Sequence, residues 1–164
     1  MNLASFNALP TSAAQAAIAH CVAIPRWQQA LAAARPFASL AALLAEAERL
    51  TQAWSRDDLE QALLAHPRIG ERASGAEKEA ALSRQEQSAM GDADAALKQA
   101  MRAGNQAYEA RFGRVFLIRA SGRSGEEMLA QLQRRLTHDE PTETREALQQ
   151  LREITLLRLK ESLL

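Results

Sequence analysis

Apolar residues recur along this chain at intervals of three and four, the spacing of one face of an α-helix. Leu40, Leu43, Leu44, Ala47, Leu50 and Trp54 form one such stripe, and Ser39 stands directly before it as a candidate N-cap. Other helix starts are marked by capping boxes, a small polar residue followed three positions later by Glu, Gln or Asp. Ser12…Gln15 predicts a first helix to about His20. Pro25 predicts a second through Trp27 and Leu31, and Ser55…Asp58 a fourth that Pro67 ends. Ser74…Glu77 and Ser83…Glu86 are two further boxes, and the latter predicts a helix that breaks near Gly91 and runs to Gly113. Val115-Phe116-Leu117-Ile118 is strand-like but has no second strand to pair with, so a buried extended segment is expected. Ser121 to Gly125 reads as a turn, Ser124…Glu127 as the next cap, and Pro141 as the start of a long last helix. The expected fold is all-α: a single-domain compact helical bundle of about nine helices over residues 1–164.

Polar residues that fall inside these apolar stripes carry the chemical interest. With Leu59 at zero and 100° per residue, Ala62 falls at about 300°, Leu63 at about 40° and His66 at about 340°. His66 is thus expected on the last turn of its helix, where the negative end of the dipole favours an imidazolium. Position alone fits a core histidine bonded to backbone better than a catalyst. On the last helix, with Leu148 at zero, Arg158 falls at about 280°, between Ile154 and Leu151. A buried guanidinium needs an anion, either a carboxylate side chain or an anionic ligand, and its fork suits a planar carboxylate. Ser83, Glu86 and Gln87 would share a first turn whose free N–H groups could also hold a ligand.

Composition narrows the function classes. The chain has 164 residues, with 20 basic and 20 acidic side chains, so it carries no electrostatic footprint for nucleic acid or an anionic membrane. Its 47% hydrophobic content supports a core, and aromatics at 4% leave the packing to Leu, Ala and Ile. No apolar run approaches a membrane span, and the N-terminus does not read as a signal peptide. A single cysteine, Cys21, precludes an internal disulfide and fits a reducing compartment. A cytoplasmic protein of bacterial type, without a peroxisomal address, is expected. The three histidines show no zinc-type spacing, and no phosphate-loop or dinucleotide glycine pattern is present. Arg102, Arg111 and Arg114 read as a solvated face.

Taken in order, the motifs resemble the 2-oxo-4-hydroxy-4-carboxy-5-ureidoimidazoline (OHCU) decarboxylases of the urate-to-allantoin pathway over nearly the full length. They are Phe6-Asn7-Ala8-Leu9-Pro10, then His66-Pro67-Arg68-Ile69-Gly70, then Ser83-x-x-Glu86-Gln87. Asn105-x-x-Tyr108-x-x-x-Phe112-Gly113 follows, then Phe116-Leu117-Ile118-x-Ala120-Ser121-Gly122-Arg123-Ser124, Arg135-Leu136 and Arg158-Leu159. The resemblance implies an all-helical carboxy-lyase that forms (S)-allantoin with no cofactor and no metal. It implies a small ureidoimidazoline substrate as partner, and a homodimer. It also implies His66 as the catalytic acid/base, with Glu86 orienting it or the substrate. Pro67, Ser83, Arg84, Gln85, Glu86, Gln87, the segment Ile118, Arg119, Ala120, Ser121 and Gly122, and Arg158 would bind substrate. Arg68, and the stretch from Glu71 to Ala80, depart from the family pattern. Two alternatives remain open: a helical interaction module without activity, and a hydrolase of the same fold acting on a related ureide.

Overall fold

The computed structural model describes residues 1–70, 78–91 and 94–164, with the side chains of 78–80 and 91 excepted. Ten helices and no strand occur among the described residues. They divide between two units, residues 1–62 with 152–164 and residues 63–151.

In the first unit, α1 (Leu3–Ala8) is a helix the capping boxes did not signal; Asn2 caps it by accepting from the Ser5 N–H. The helix α2 (Thr11–Ile18) starts behind Pro10 with no side-chain cap, so Ser12 lies inside the helix rather than at its cap. Pro25 is the first residue of α3 (Pro25–Ala33), and Ser39 caps α4 (Leu40–Thr51) through the Ala42 N–H, both as expected. Phe6, Ile18, Leu31 and Leu43 are fully buried, and Trp27 meets Trp54 edge-on with centroids 6.3 Å apart. Asn7 clasps the backbone of Phe37 in both directions at 2.9 Å, which ties α1 to the loop after α3.

The box before α5 (Arg56–Leu63) is formed. Asp58 accepts from the Ser55 N–H at 2.9 Å, and the Asp58 N–H reaches Ser55 Oγ at 3.4 Å. Arg26 adds an ion pair at 2.7 Å. Burial pushes the Asp58 carboxyl upward, but the Ser55 N–H and Arg26 outweigh it and hold the group below its ordinary range.

The second unit contains α6 (Lys78–Glu86), α7 (Ser88–Gly91), α8 (Ala95–Phe112), α9 (Gly125–Arg135) and the first half of α10 (Glu140–Ser162). Asp94 and Ser124 cap α8 and α9, and Gly113 ends α8 in a left-handed conformation. The Ser74…Glu77 box lies outside the described residues. The Ser83…Glu86 box marks no helix start: α6 already begins at Lys78, and Ser83 sits in its interior. Lys78 to Leu82 is a run of good helix formers, which carries the helix straight through the serine. The α8 and α9 helices approach closely at Gly104, where a Cβ would stand 2.1 Å from Leu132 Cδ2. Residues 115–120 run extended and unpaired, with Phe116, Leu117 and Ile118 buried, as the isolated strand-like run predicted.

One buried ion pair ties these pieces together. Arg135 and Glu143 are both essentially inaccessible and meet at 2.5 Å. Arg135 Nη1 also donates to the Leu117 carbonyl at 2.7 Å, and its guanidinium lies 4.5 Å above the Phe116 ring. Tyr108 on α8 donates its hydroxyl to the same carboxylate at 2.5 Å. Burial, followed by the hydrogen bond and charge of Glu143, pushes the Tyr108 phenol well above its usual range. Arg114, read from sequence as solvated, is buried as well and pairs with Glu140 at 2.7 Å. Its position just after the cap of α8 turns it toward the first turn of α10.

Two stability outcomes follow. Arg135→Met leaves the Glu143 carboxylate buried without its guanidinium and should cost about 3–5 kcal/mol in urea unfolding. For Asp58, the folded carboxyl titrates below the unfolded one. Its contribution is therefore present above the unfolded value and is lost as pH falls through the folded value. Asp58→Asn should lower stability by about 1 kcal/mol at neutral pH. The gap between variant and wild type should close under acid conditions when both are melted across pH 7 to 2.5.

Candidate active site

The segment His66–Gly70 leaves α5 through a turn. The helix ends at Leu63, and the His66 N–H donates to the Leu63 carbonyl at 3.0 Å. His66 is therefore just beyond the helix rather than on its last turn. Pro67 disfavours helical backbone at the residue before it, which forces this earlier exit. The imidazole is half-buried and its Nε2 is shielded from solvent. Pro67 is half-buried, Ile69 is buried, and Gly70 takes φ +94°, a conformation that a side chain would strain.

Three contacts hold this segment from behind. Arg68 grips Glu109 on α8 with both ends of its fork, at 2.7 and 2.9 Å. Asn105 on α8, 3% exposed, donates Nδ2 to the Ile69 carbonyl at 2.8 Å. The Gly70 N–H donates to Gln87 Oε1 at 3.1 Å. The sequence motif contained Asn105 without indicating a role for it. Its signal was a polar residue one turn before Tyr108 on an otherwise buried face.

The side chains of Ser83 and Glu86 on α6 and of Gln87 just after its end share one face, because three and four residues make about one turn. Ser83 is buried, Glu86 and Gln87 are half-buried, Arg84 is half-buried and Gln85 is exposed. The Gln87 N–H bonds the Ser83 carbonyl at 3.1 Å, as in a continuing helix. Free N–H groups are therefore not what this stretch can offer a ligand; its side chains are.

The turn after the extended segment offers backbone donors instead. Arg123 secures it by donating Nε to the Arg119 carbonyl at 2.8 Å and its N–H to the Ala120 carbonyl at 3.1 Å. The Arg119 N–H is held by Gln150 at 2.9 Å. The N–H groups of Ile118, Ala120, Ser121 and Gly122 have no acceptor among the described residues. Ile118 and Ala120 are buried, Arg119 and Ser121 half-buried, and Gly122 is exposed with φ +81°. A row of fixed N–H groups of this kind can stabilise a developing oxyanion.

Arg158 belongs to the first unit, whereas His66, α6 and the 118–122 turn belong to the second. It is 1% exposed, and Nη1 donates to the carbonyls of His20 and Cys21 at 3.3 and 3.5 Å. These carbonyls follow the C-terminal end of α2, a region of negative partial charge that favours a cation.

Two other features compete for attention. A cavity of about 430 Å³ is lined by Arg68, Ile69 and Gly70 together with Lys98, Arg102, Asn105, Gln106 and Glu109 of α8. It touches the motif behind His66, and neither His66 nor Ser83 lines it. His138, Glu143 and Glu146 bring ligand atoms within 4.8 Å of one another. Both carboxylates are already engaged, Glu143 by Arg135 and Glu146 by Arg134, so a cation there would have to displace a guanidinium. That cluster is an ion-pair network. No described helix is long and apolar enough to cross a membrane.

Comparison with known proteins gives this geometry its context. The OHCU decarboxylase family profile matches residues 7–160. A protein from Haloferax volcanii described as 2-oxo-4-hydroxy-4-carboxy-5-ureidoimidazoline decarboxylase is 31% identical over 127 residues, spanning 77% of this chain and 74% of the relative. The crystal structure of an OHCU decarboxylase in the presence of (S)-allantoin superposes with a TM-score of 0.73 at 26% identity, covering 87% of this chain and 94% of that one. An (S)-allantoin synthase structure shares the fold with a TM-score of 0.73 at 18% identity, covering 99% of this chain and 54% of that one. The helical fold and the family profile over almost its whole length agree: the chain belongs to the OHCU decarboxylase family.

Proposed function

We propose that this chain performs its family's reaction, loss of carbon dioxide from OHCU to give allantoin, with His66 as its proton-transferring group. The family assignment sets aside a purely structural helical module. The observation that carries the catalytic role is the setting of His66: a half-buried imidazole with a shielded Nε2, on a segment pinned from behind by Arg68, Asn105 and Gln87. A titrating group held in one place is what general acid–base catalysis requires.

The chemistry needs no electron sink from outside the substrate. One ring carbon carries both the carboxylate and a hydroxyl, beside an unsaturated ring position bearing the ureido group. Breaking the bond to the carboxylate releases carbon dioxide and leaves an electron pair, which forms a double bond between those two ring carbons. The former ring π pair moves onto nitrogen, which takes up a proton. The resulting enol then loses its hydroxyl proton and gains a proton at the ureido-bearing carbon, giving the carbonyl of allantoin. The net reaction consumes one proton. His66 is assigned the delivery of the carbon-bound proton, and one-face delivery gives a single enantiomer, the (S) form. Glu86 is assigned the orientation of His66 or of the substrate hydroxyl.

The N–H groups of Ile118, Ala120, Ser121 and Gly122 are assigned the developing enolate and ureido oxygens. The Ser83 hydroxyl, the Gln87 amide, Pro67, Arg84 and Gln85 are assigned to the same substrate. For Arg158, the family motif supports a role in binding the carboxylate. A homodimer, on the resemblance, and a cytoplasmic location, on the lone Cys21 that fits a reducing compartment, remain part of this proposal.

His66→Ala should lower turnover by about 10²–10⁴-fold while the helical circular dichroism stays unchanged. Turnover within threefold of wild type would remove His66 from the mechanism. Arg158→Lys, which replaces a fork by a point charge, should lower kcat/KM by roughly ten- to hundredfold in the same carbon dioxide assay.

A further inference from the structure

Asn105 and Gln87 hold opposite ends of one peptide unit. The Ile69 carbonyl and the Gly70 N–H belong to the same planar amide; Asn105 donates to the first at 2.8 Å and Gln87 accepts from the second at 3.1 Å. The assignment of each side-chain amide is forced by its partner. A carbonyl only accepts, so Asn105 must present Nδ2; a backbone N–H only donates, so Gln87 must present Oε1. With Oε1 committed to Gly70, the Nε2 of Gln87 is turned away from the clamp with its donors available. No described residue accepts from it.

We infer that Asn105 is a positioning residue that fixes the orientation of the Gln87 carboxamide through the Ile69–Gly70 peptide, so that Gln87 Nε2 donates to an oxygen of the substrate. The inference rests on the reading of Gln87 as a substrate-binding residue and adds what sets its orientation. Three amides in series, side chain to backbone to side chain, polarise one another in the same sense and strengthen the terminal donor. Gly70 makes the geometry available: at φ +94° its N–H faces Gln87, and a Cβ there would meet only ordinary contacts, so backbone conformation rather than space demands the glycine.

A second observation separates this role from packing. Asn105 is 3% exposed, and its Oδ1 is buried with no hydrogen-bond partner among the described residues. An apolar side chain of the same size, such as Leu, would fill the space without stranding an acceptor. The amide is therefore explained by its donor alone. That donor serves a single carbonyl, three residues beyond His66.

A double-mutant cycle on the full-length enzyme tests this, using kcat and KM for freshly generated OHCU. Asn105→Ala should raise KM about three- to tenfold in the wild-type background, with kcat changed less, because His66 itself is retained. Gln87→Ala should raise KM by at least as much, and adding Asn105→Ala to it should raise KM no further. If Asn105→Ala is not helical by circular dichroism, Asn105→Ser takes its place in the cycle. A KM effect of Asn105→Ala that is equal in both backgrounds would overturn the relay and leave the decarboxylase reading intact. So would a change in melting temperature with unchanged kinetics. A wild-type KM in Gln87→Ala would overturn both the relay and the substrate role of Gln87, while the assignment of His66 would still be judged by its own variant.

Discussion

The Arg135–Glu143 pair is the constraint on which the second unit depends. Each ion is buried, and neither would be tolerated there alone. Because both must be satisfied at once, the pair dictates where four pieces of chain can lie. Tyr108 brings α8 to the carboxylate, Arg135 brings α9, Glu143 brings the first turn of α10, and the Leu117 carbonyl brings the extended segment. The turn at 118–122 begins one residue after that carbonyl. The placement of its N–H donors therefore follows from that salt bridge. The apolar side chains around it, Phe116, Met128 and Leu132 among them, exclude water and so strengthen the electrostatic hold.

The segment His66–Gly70 is governed by a different balance. Pro67 prevents α5 from continuing, and Gly70 allows a turn that other residues resist. Between them, the backbone of His66–Gly70 would have little to hold it. Arg68 on Glu109 and the two carboxamides on the Ile69–Gly70 peptide supply what regular secondary structure does not. Arg68, a departure from the family pattern in sequence, thus has a local role as a bidentate anchor to α8.

Much of this was legible in the sequence, and the failures have physical causes. The stripe from Leu40 to Trp54, the Ser39, Ser55 and Ser124 caps and the Gly113 terminus were readable because each is a local signal with a local consequence. The Ser83…Glu86 box misled because a serine followed by a glutamate has the same appearance inside a helix as at its start. The propensity of Lys78 to Leu82 decided the matter, at a distance the box does not sense. Helix α1 was missed because six residues capped by Asn2 carry too short a period to stand out. Arg114 reads as solvated from sequence because its partner, Glu140, is 26 residues away. Among the proposed site residues, His66 and the set Ser83, Glu86 and Gln87 stand out in the sequence by motif and helical spacing. Asn105 stands out in the sequence only as part of a motif, since its bond to the Ile69 carbonyl spans 36 residues.

The central claim is that this chain breaks a carbon–carbon bond and then controls a single protonation. The most direct test follows OHCU labelled in its carboxylate and freshly generated in the presence of the wild-type protein, reading released carbon dioxide and product ellipticity together. The account predicts one equivalent of labelled carbon dioxide per allantoin, well above the spontaneous rate, with the allantoin formed as the (S) enantiomer. Label retained in a ring-opened acid would instead indicate a hydrolase. Racemic allantoin at the uncatalysed rate would contradict the account altogether.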